Sequence, residues 1–185
     1  DYFDKTLLHE LNHLIETELI KVDSKCYTVR SGWDILNCKI NDETENDEKR
    51  EFEYLNEIIN ELLCQEVTKI MHDDGVYLFD NKDTSRIKGG TSYERCRVLV
   101  RDFFDEFKDV IKYSRITGDM DSLYNVIGQD NLVALNDLIK DFFDYFSEFK
   151  FYALCDEINK KVDTDNVSFF KSCVERSDVI LSKMK

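Results

Sequence analysis

Five residues near the start of the chain, His9-Glu10-Leu11-Asn12-His13, have the types and the spacing for metal-assisted hydrolysis. On a helix, residues four apart lie one above the other on a single face. His9 and His13 can then aim both imidazoles at one ion. Glu10 lies about 100° round the helix from His9. From there it reaches a water on that ion and can accept its proton. This is the H-E-x-x-H pattern, and the chemistry behind it is zinc-assisted hydrolysis. Two histidines and a glutamate also occur as solvated residues on surface helices. Here the chain has only three His, and two of them fall at this spacing with Glu in the required slot.

Two imidazoles do not complete a catalytic zinc site. Such sites take a third protein ligand and keep a fourth position for water. The residues on offer are His72, Asp34, the carboxylates of 41–53, Glu57 and Glu61.

The segment Tyr54-Leu55-Asn56-Glu57-Ile58-Ile59-Asn60-Glu61 narrows that choice. H-E-L-N-H followed by an L-N-E helix resembles the gluzincin class of zinc metallopeptidases. In that class the second helix carries Asn-Glu, with a polar residue three positions on, and its Glu is the third ligand. The resemblance therefore implies Zn2+ held by His9, His13 and Glu57. Glu61, one turn later, becomes an acceptor for a ligand histidine or the alternative ligand. Glu10 becomes the general base. Further on, Ser92-Tyr93-Glu94 opening a long helix is similar to small gluzincin-like proteins, and implies Tyr93 as the group sharing the oxyanion's charge. His72 is the second candidate for that role. It also suits the C-terminal end of a helix, where a positive charge is favourable. From His13 to Glu57 the chain runs 44 residues, more than in the best-known gluzincins. The metzincin pattern fails, because Glu16 and Leu19 stand where it needs Gly and a third His. The motifs cover residues 7–61.

These residues need helices to hold them. Leu7, Leu8, Leu11, Leu14, Ile15 and Leu19 recur at helical spacing, which predicts a first helix over 3–21 with that stripe buried. Residues 25–40, with Ser31-Gly32 between apolar runs, predict a β-hairpin. The acidic run 41–50 predicts a solvated loop leading into a second helix over 49–72, with Phe52, Leu55, Ile59, Leu62, Leu63 and Ile70 inward. Residues 76–79 read as a short strand or ordered loop, and 80–90 as a loop. A third helix is expected from Thr91 or Ser92 to about Tyr113, carrying Val100, Phe103, Phe104, Phe107 and Ile111. A short helix follows over 122–126. A fourth covers 130–153 with the most aromatic face, where Phe142, Phe143, Phe146 and Phe149 read as core. A final helix or pair of helices covers 155–160 and 167–182.

Composition sets the outer limits. The chain has 185 residues, no Pro and only six Gly, which favours helices. We expect a mainly α fold: a zincin-like helical domain with a small β-hairpin and a helical C-terminal half. Residues 1–90 form the metal-binding part and residues 91–185 pack on it, making one compact domain. Zincins place a strand or sheet before the H-E-x-x-H helix; almost nothing precedes it here, so either an upstream lobe is missing or the hairpin replaces it. A net charge of −14 excludes general affinity for nucleic acid or anionic membranes. No apolar run reaches the roughly 20 residues of a membrane span. Six Cys form no C-x-x-C pair, so free and mostly buried thiols in a reducing, cytoplasmic compartment are expected, with one Cys26–Cys38 bridge across the hairpin as the exception. The expected partner is a peptide or protein substrate. The alternatives are a non-catalytic domain stabilised by zinc and a metal-free acidic helical interaction domain.

Overall fold

A computed structural model describes residues 2–22, 26–39, 49–78, 96–152 and 159–184. Its elements run α1 (Tyr2–Glu16), β1 (Thr17–Val22), β2 (Cys26–Ser31), β3 (Asp34–Lys39), β4 (Lys49–Glu51), α2 (Glu53–Asp73), α3 (Arg97–Thr117), α4 (Met120–Ile127), α5 (Gln129–Tyr152) and α6 (Asn159–Ser182). The fold is mainly α with one small antiparallel sheet, as the composition predicts.

The first helix is shorter than its leucine spacing suggests. It stops at Glu16, and residues 17–22 pair with β2, Thr17 opposite Ser31 and Val22 opposite Tyr27. Thr17 is β-branched and stiff in a helix. Its Oγ1 donates to the His13 carbonyl at 2.6 Å, closing the last turn as the chain becomes a strand. The hairpin lies where it was expected. β2 and β3 meet across a two-residue turn, and Gly32 takes φ 61°, which such a turn needs at its first central position. β4 then adds to β3, giving the order β1-β2-β3-β4. Residues 49–51 are therefore strand, and the second helix begins only at Glu53. Phe52 makes the corner in a left-handed conformation, φ 59°, with its side chain buried. The register sets Cys38 opposite Tyr27 and Cys26 opposite Lys39, so the two cysteines are not directly paired.

The apolar core lies between α2 and the C-terminal helices. Leu55, Ile58, Ile59 and Leu62 of α2 meet Leu99, Val100, Phe103, Phe104 and Ile111 of α3 and Leu132, Leu135, Leu138, Ile139 and Phe142 of α5. Leu123 and Ile127 of α4 and Cys173 and Ile180 of α6 close it. Cys64, Cys96 and Cys173 are free and buried, as expected of thiols acting as small hydrophobes. Ile70 is exposed, contrary to its expected place in the core. The third helix runs to Thr117, one turn past its expected end, and Gly118 terminates it with φ 74°. Of the expected final helix or pair, the described residues form one helix, α6. Thr91, Ser92, Tyr93, the loop 80–90, the acidic run 41–48 and the side chains of Phe146 and Phe149 lie outside the described residues.

The largest departure is the orientation of α1. Leu7, Leu11, Leu14, Ile15 and Leu19, expected to be buried, are exposed. Asp4, His9 and Glu16 are buried instead, and Lys5, Asn12 and His13 are half-buried. The reason lies across the interface. The face of α2 that meets α1 carries Glu57, Asn60 and Glu61, and these are satisfied only by polar partners. Among the described residues, no helix is long and apolar enough to cross a membrane.

Candidate metal centre

α1 delivers the two histidines from one face, one turn apart. Their rings meet edge to face, with centroids 4.8 Å apart. His9 Nε2 and His13 Nε2 approach to 3.1 Å. From α2, Glu57 straddles both: Oε2 lies 3.2 Å from His9 Nε2, and Oε1 lies 3.1 Å from His13 Nε2. Among the described residues these three form the one group of His, Cys and carboxylate donors close enough to share an ion. Zinc bonds of roughly 2.0–2.1 Å in a tetrahedron separate neighbouring donors by about 3.3–3.4 Å. The separations here are within a few tenths of an ångström of that, and two imidazoles with one carboxylate are a zinc donor set. The residues fit the ion. The site is open on one side, since the side chains of His13 and Glu57 are 22% and 25% exposed against 9% for His9.

A second layer of contacts orients these donors. His9 Nδ1 faces Glu61 Oε2 at 3.5 Å, the outer limit of a hydrogen bond. This directs Nε2 toward Glu57 and His13. Glu61 is itself fixed by Lys5, whose Nζ donates to Oε1 at 2.5 Å. Asn60 donates to the His9 carbonyl at 3.0 Å and accepts from Asn12 Nδ2 at 2.5 Å, pinning the ligand turn of α1 onto α2.

The electrostatics favour positive charge at this point. Burial opposes ionisation of Glu57, yet the bonds from His13 and His9 bring its carboxyl down to about 2. Glu61 behaves alike: burial opposes, but His9 and Lys5 bring it to about 2. Burial also disfavours a charged His9, and Glu57 and Glu61 outweigh it, raising the imidazole to about 9. Two ionised carboxylates thus flank two imidazoles, an arrangement that a divalent cation completes.

Of the residues predicted from sequence, the structure brings together His9, His13, Glu57 and Glu61. It leaves Glu10 exposed on α1, next to His9 in the chain. Tyr93 is outside the described residues. His72 is engaged elsewhere, with Nε2 at 2.8 Å from Asp4 Oδ2 and its ring stacked on Tyr77. Asp34 opens β3 and is not in the ligand group.

Sequence reasoning missed Lys5, Asn12, Asn60 and Arg115, which the structure places around the site. Arg115 is fully buried near the end of α3. Its Nε and Nη2 donate to the two oxygens of Glu16 at 3.1 and 2.5 Å. Its Nη1 donates to the Asn56 carbonyl and side-chain oxygen at 3.1 and 2.6 Å. Asn60 carried a detectable signal: a lone amide among the apolar residues of a buried helix needs a partner. Arg115 lies beyond the expected end of its helix, so no pattern marked it.

Comparison with known proteins finds no family model, no curated protein and no solved structure that matches the chain.

Proposed function

We propose that the chain is a zinc-dependent metallopeptidase of the gluzincin type that hydrolyses peptide bonds. One observation carries this reading. Donor atoms of His9, His13 and Glu57, from two helices, converge at 3.1–3.2 Å from one another. These residues would hold the ion, which when bound would supply an acidified water and a Lewis acid for the scissile carbonyl. Glu10 accepts the water's proton as oxygen bonds to the carbonyl carbon. It passes that proton to the amine nitrogen as the C–N bond breaks. Glu61 holds His9 in the orientation that leaves Nε2 for the ion. Tyr93 is proposed to donate to the developing oxyanion.

The test is elemental analysis of the purified chain, combined with hydrolysis of a peptide library by wild type and by Glu10→Gln. Wild type is expected to carry close to one zinc per chain and to lose activity on chelation. Glu10→Gln is expected to keep the zinc and lose hydrolysis. A variant that stays fully active removes the assignment of Glu10.

A second reading has its own support. The face of α1 turned toward α2 is polar, so an ion joining the two helices would fasten them. Zinc retained by a wild type that cleaves nothing favours this non-catalytic module. A chain that takes up no zinc at all favours the metal-free acidic interaction domain.

A further inference from the structure

We infer that Arg115 is the positioning residue of the metal centre: from α3, it fixes the separation of the two helices that carry the ligands. The inference rests on the zinc reading above.

Both anchors of Arg115 adjoin ligands. Glu16 lies three residues after His13, on the inward side of α1, and Asn56 immediately precedes Glu57. One planar guanidinium therefore ties the end of α1 to the start of α2, using a two-pronged bond on each side. The Arg115 and Glu16 side chains are 0% and 5% exposed, so water does not loosen the pair. The hairpin turn covers it. Trp33 N–H donates to Asn56 Oδ1 at 2.9 Å, and Trp33 Nε1 donates to Ser114 Oγ at 2.9 Å. The turn's backbone lies so close that a Cβ on Gly32 would meet Asn56 Oδ1, Glu16 Oε2 and Arg115 Nη2 at 2.5, 2.7 and 2.9 Å. Arg30 secures the underside, donating to the carbonyls of Gly32 and Arg115 at 3.1 Å each.

This arrangement bears on the ion because metal sites tolerate ligand displacements of only about 0.2 Å. Around the site the inward residues of α1, His9, Asn12, His13 and Glu16, are polar and meet polar groups of α2 and α3. Elsewhere in the fold interdigitated side chains fix such distances. Here a buried fork does so.

The experiment compares zinc affinity with folding. Arg115→Met alone strands the Glu16 carboxylate, so the paired variant Glu16→Gln/Arg115→Met is the informative one. We expect it to fold, with wild-type far-UV circular dichroism and a cooperative melt, and to bind zinc about 10- to 100-fold more weakly, as removal of ligand-orienting partners does. Its cobalt(II)-loaded form should show an altered visible spectrum, reporting changed coordination. A folded paired variant with wild-type zinc affinity and cobalt spectrum overturns the inference and leaves the zinc reading intact. If the paired variant does not fold, Arg115→Lys is measured instead. It keeps the charge and loses the fork, and wild-type affinity in that variant overturns the inference equally. Failure of the zinc reading is seen separately, as a wild type that takes up no zinc.

Discussion

α2 is buried on two sides, and the two sides hold the molecule together by different means. Toward α5 and α3 it presents Leu55, Ile58, Ile59 and Leu62, packed among leucines and phenylalanines. Toward α1 it presents Glu57, Asn60 and Glu61, bonded to histidine, lysine and amide groups. The first side gains free energy from every apolar group taken out of water. The second gains little on balance, because each polar group exchanges a bond to water for one to protein. In return, its direction-dependent bonds place atoms to within tenths of an ångström. The apolar side keeps the fold, and the polar side orients His9, His13 and Glu57.

Four variants break or sharpen that contrast. The largest effect is expected from Glu10→Gln, which touches neither interface. Peptide hydrolysis should fall about 100- to 10,000-fold, the usual contribution of a general base, while zinc content by elemental analysis and the thermal melt stay at wild type. Next comes Phe103→Ala on the apolar side. A buried phenylalanine lost from a packed core costs about 3–5 kcal/mol, read by urea unfolding, and the surviving folded fraction should keep wild-type zinc affinity. Parallel losses of stability and affinity would mean that the two sides are not separate. Glu61→Gln reverses the pattern. Zinc affinity should weaken by about 10- to 100-fold, measured by competition with a chelator, with a much smaller change in urea midpoint than Phe103→Ala produces. The smallest effect belongs to Ile15→Ser. Ile15 is 79% exposed despite its helical spacing, so its loss should move stability by no more than about 0.5 kcal/mol. A loss of several kcal/mol would restore the buried stripe that the sequence suggests.

The contrast also explains what could be read from the chain. The convergence of His9 and His13 was legible because it depends on spacing alone, and an α-helix fixes spacing. Glu57 and Glu61 needed the L-N-E pattern as well. The leucines of α1 predicted a helix correctly and its buried face wrongly: periodicity shows that a face exists, and only the partner helix decides whether that face is covered. Residues 17–22 continue the helical pattern through Leu19 and Ile20, and β2 alone makes them a strand. Residues 49–51 likewise become β4 only through β3. Arg115 was invisible for the same reason. A single cation at the end of an amphipathic helix resembles a solvated charge until the fold surrounds it.

The α1–α2 contact has one more consequence. Water can re-enter a hydrophilic seam and satisfy the groups it separates, so parting the two helices forfeits far less than parting two oily surfaces. The amides of α1 should therefore exchange with heavy water well ahead of those of α5. An ion bridging the seam would slow them selectively, making the first helix of the chain a built-in reporter of whether the centre is loaded.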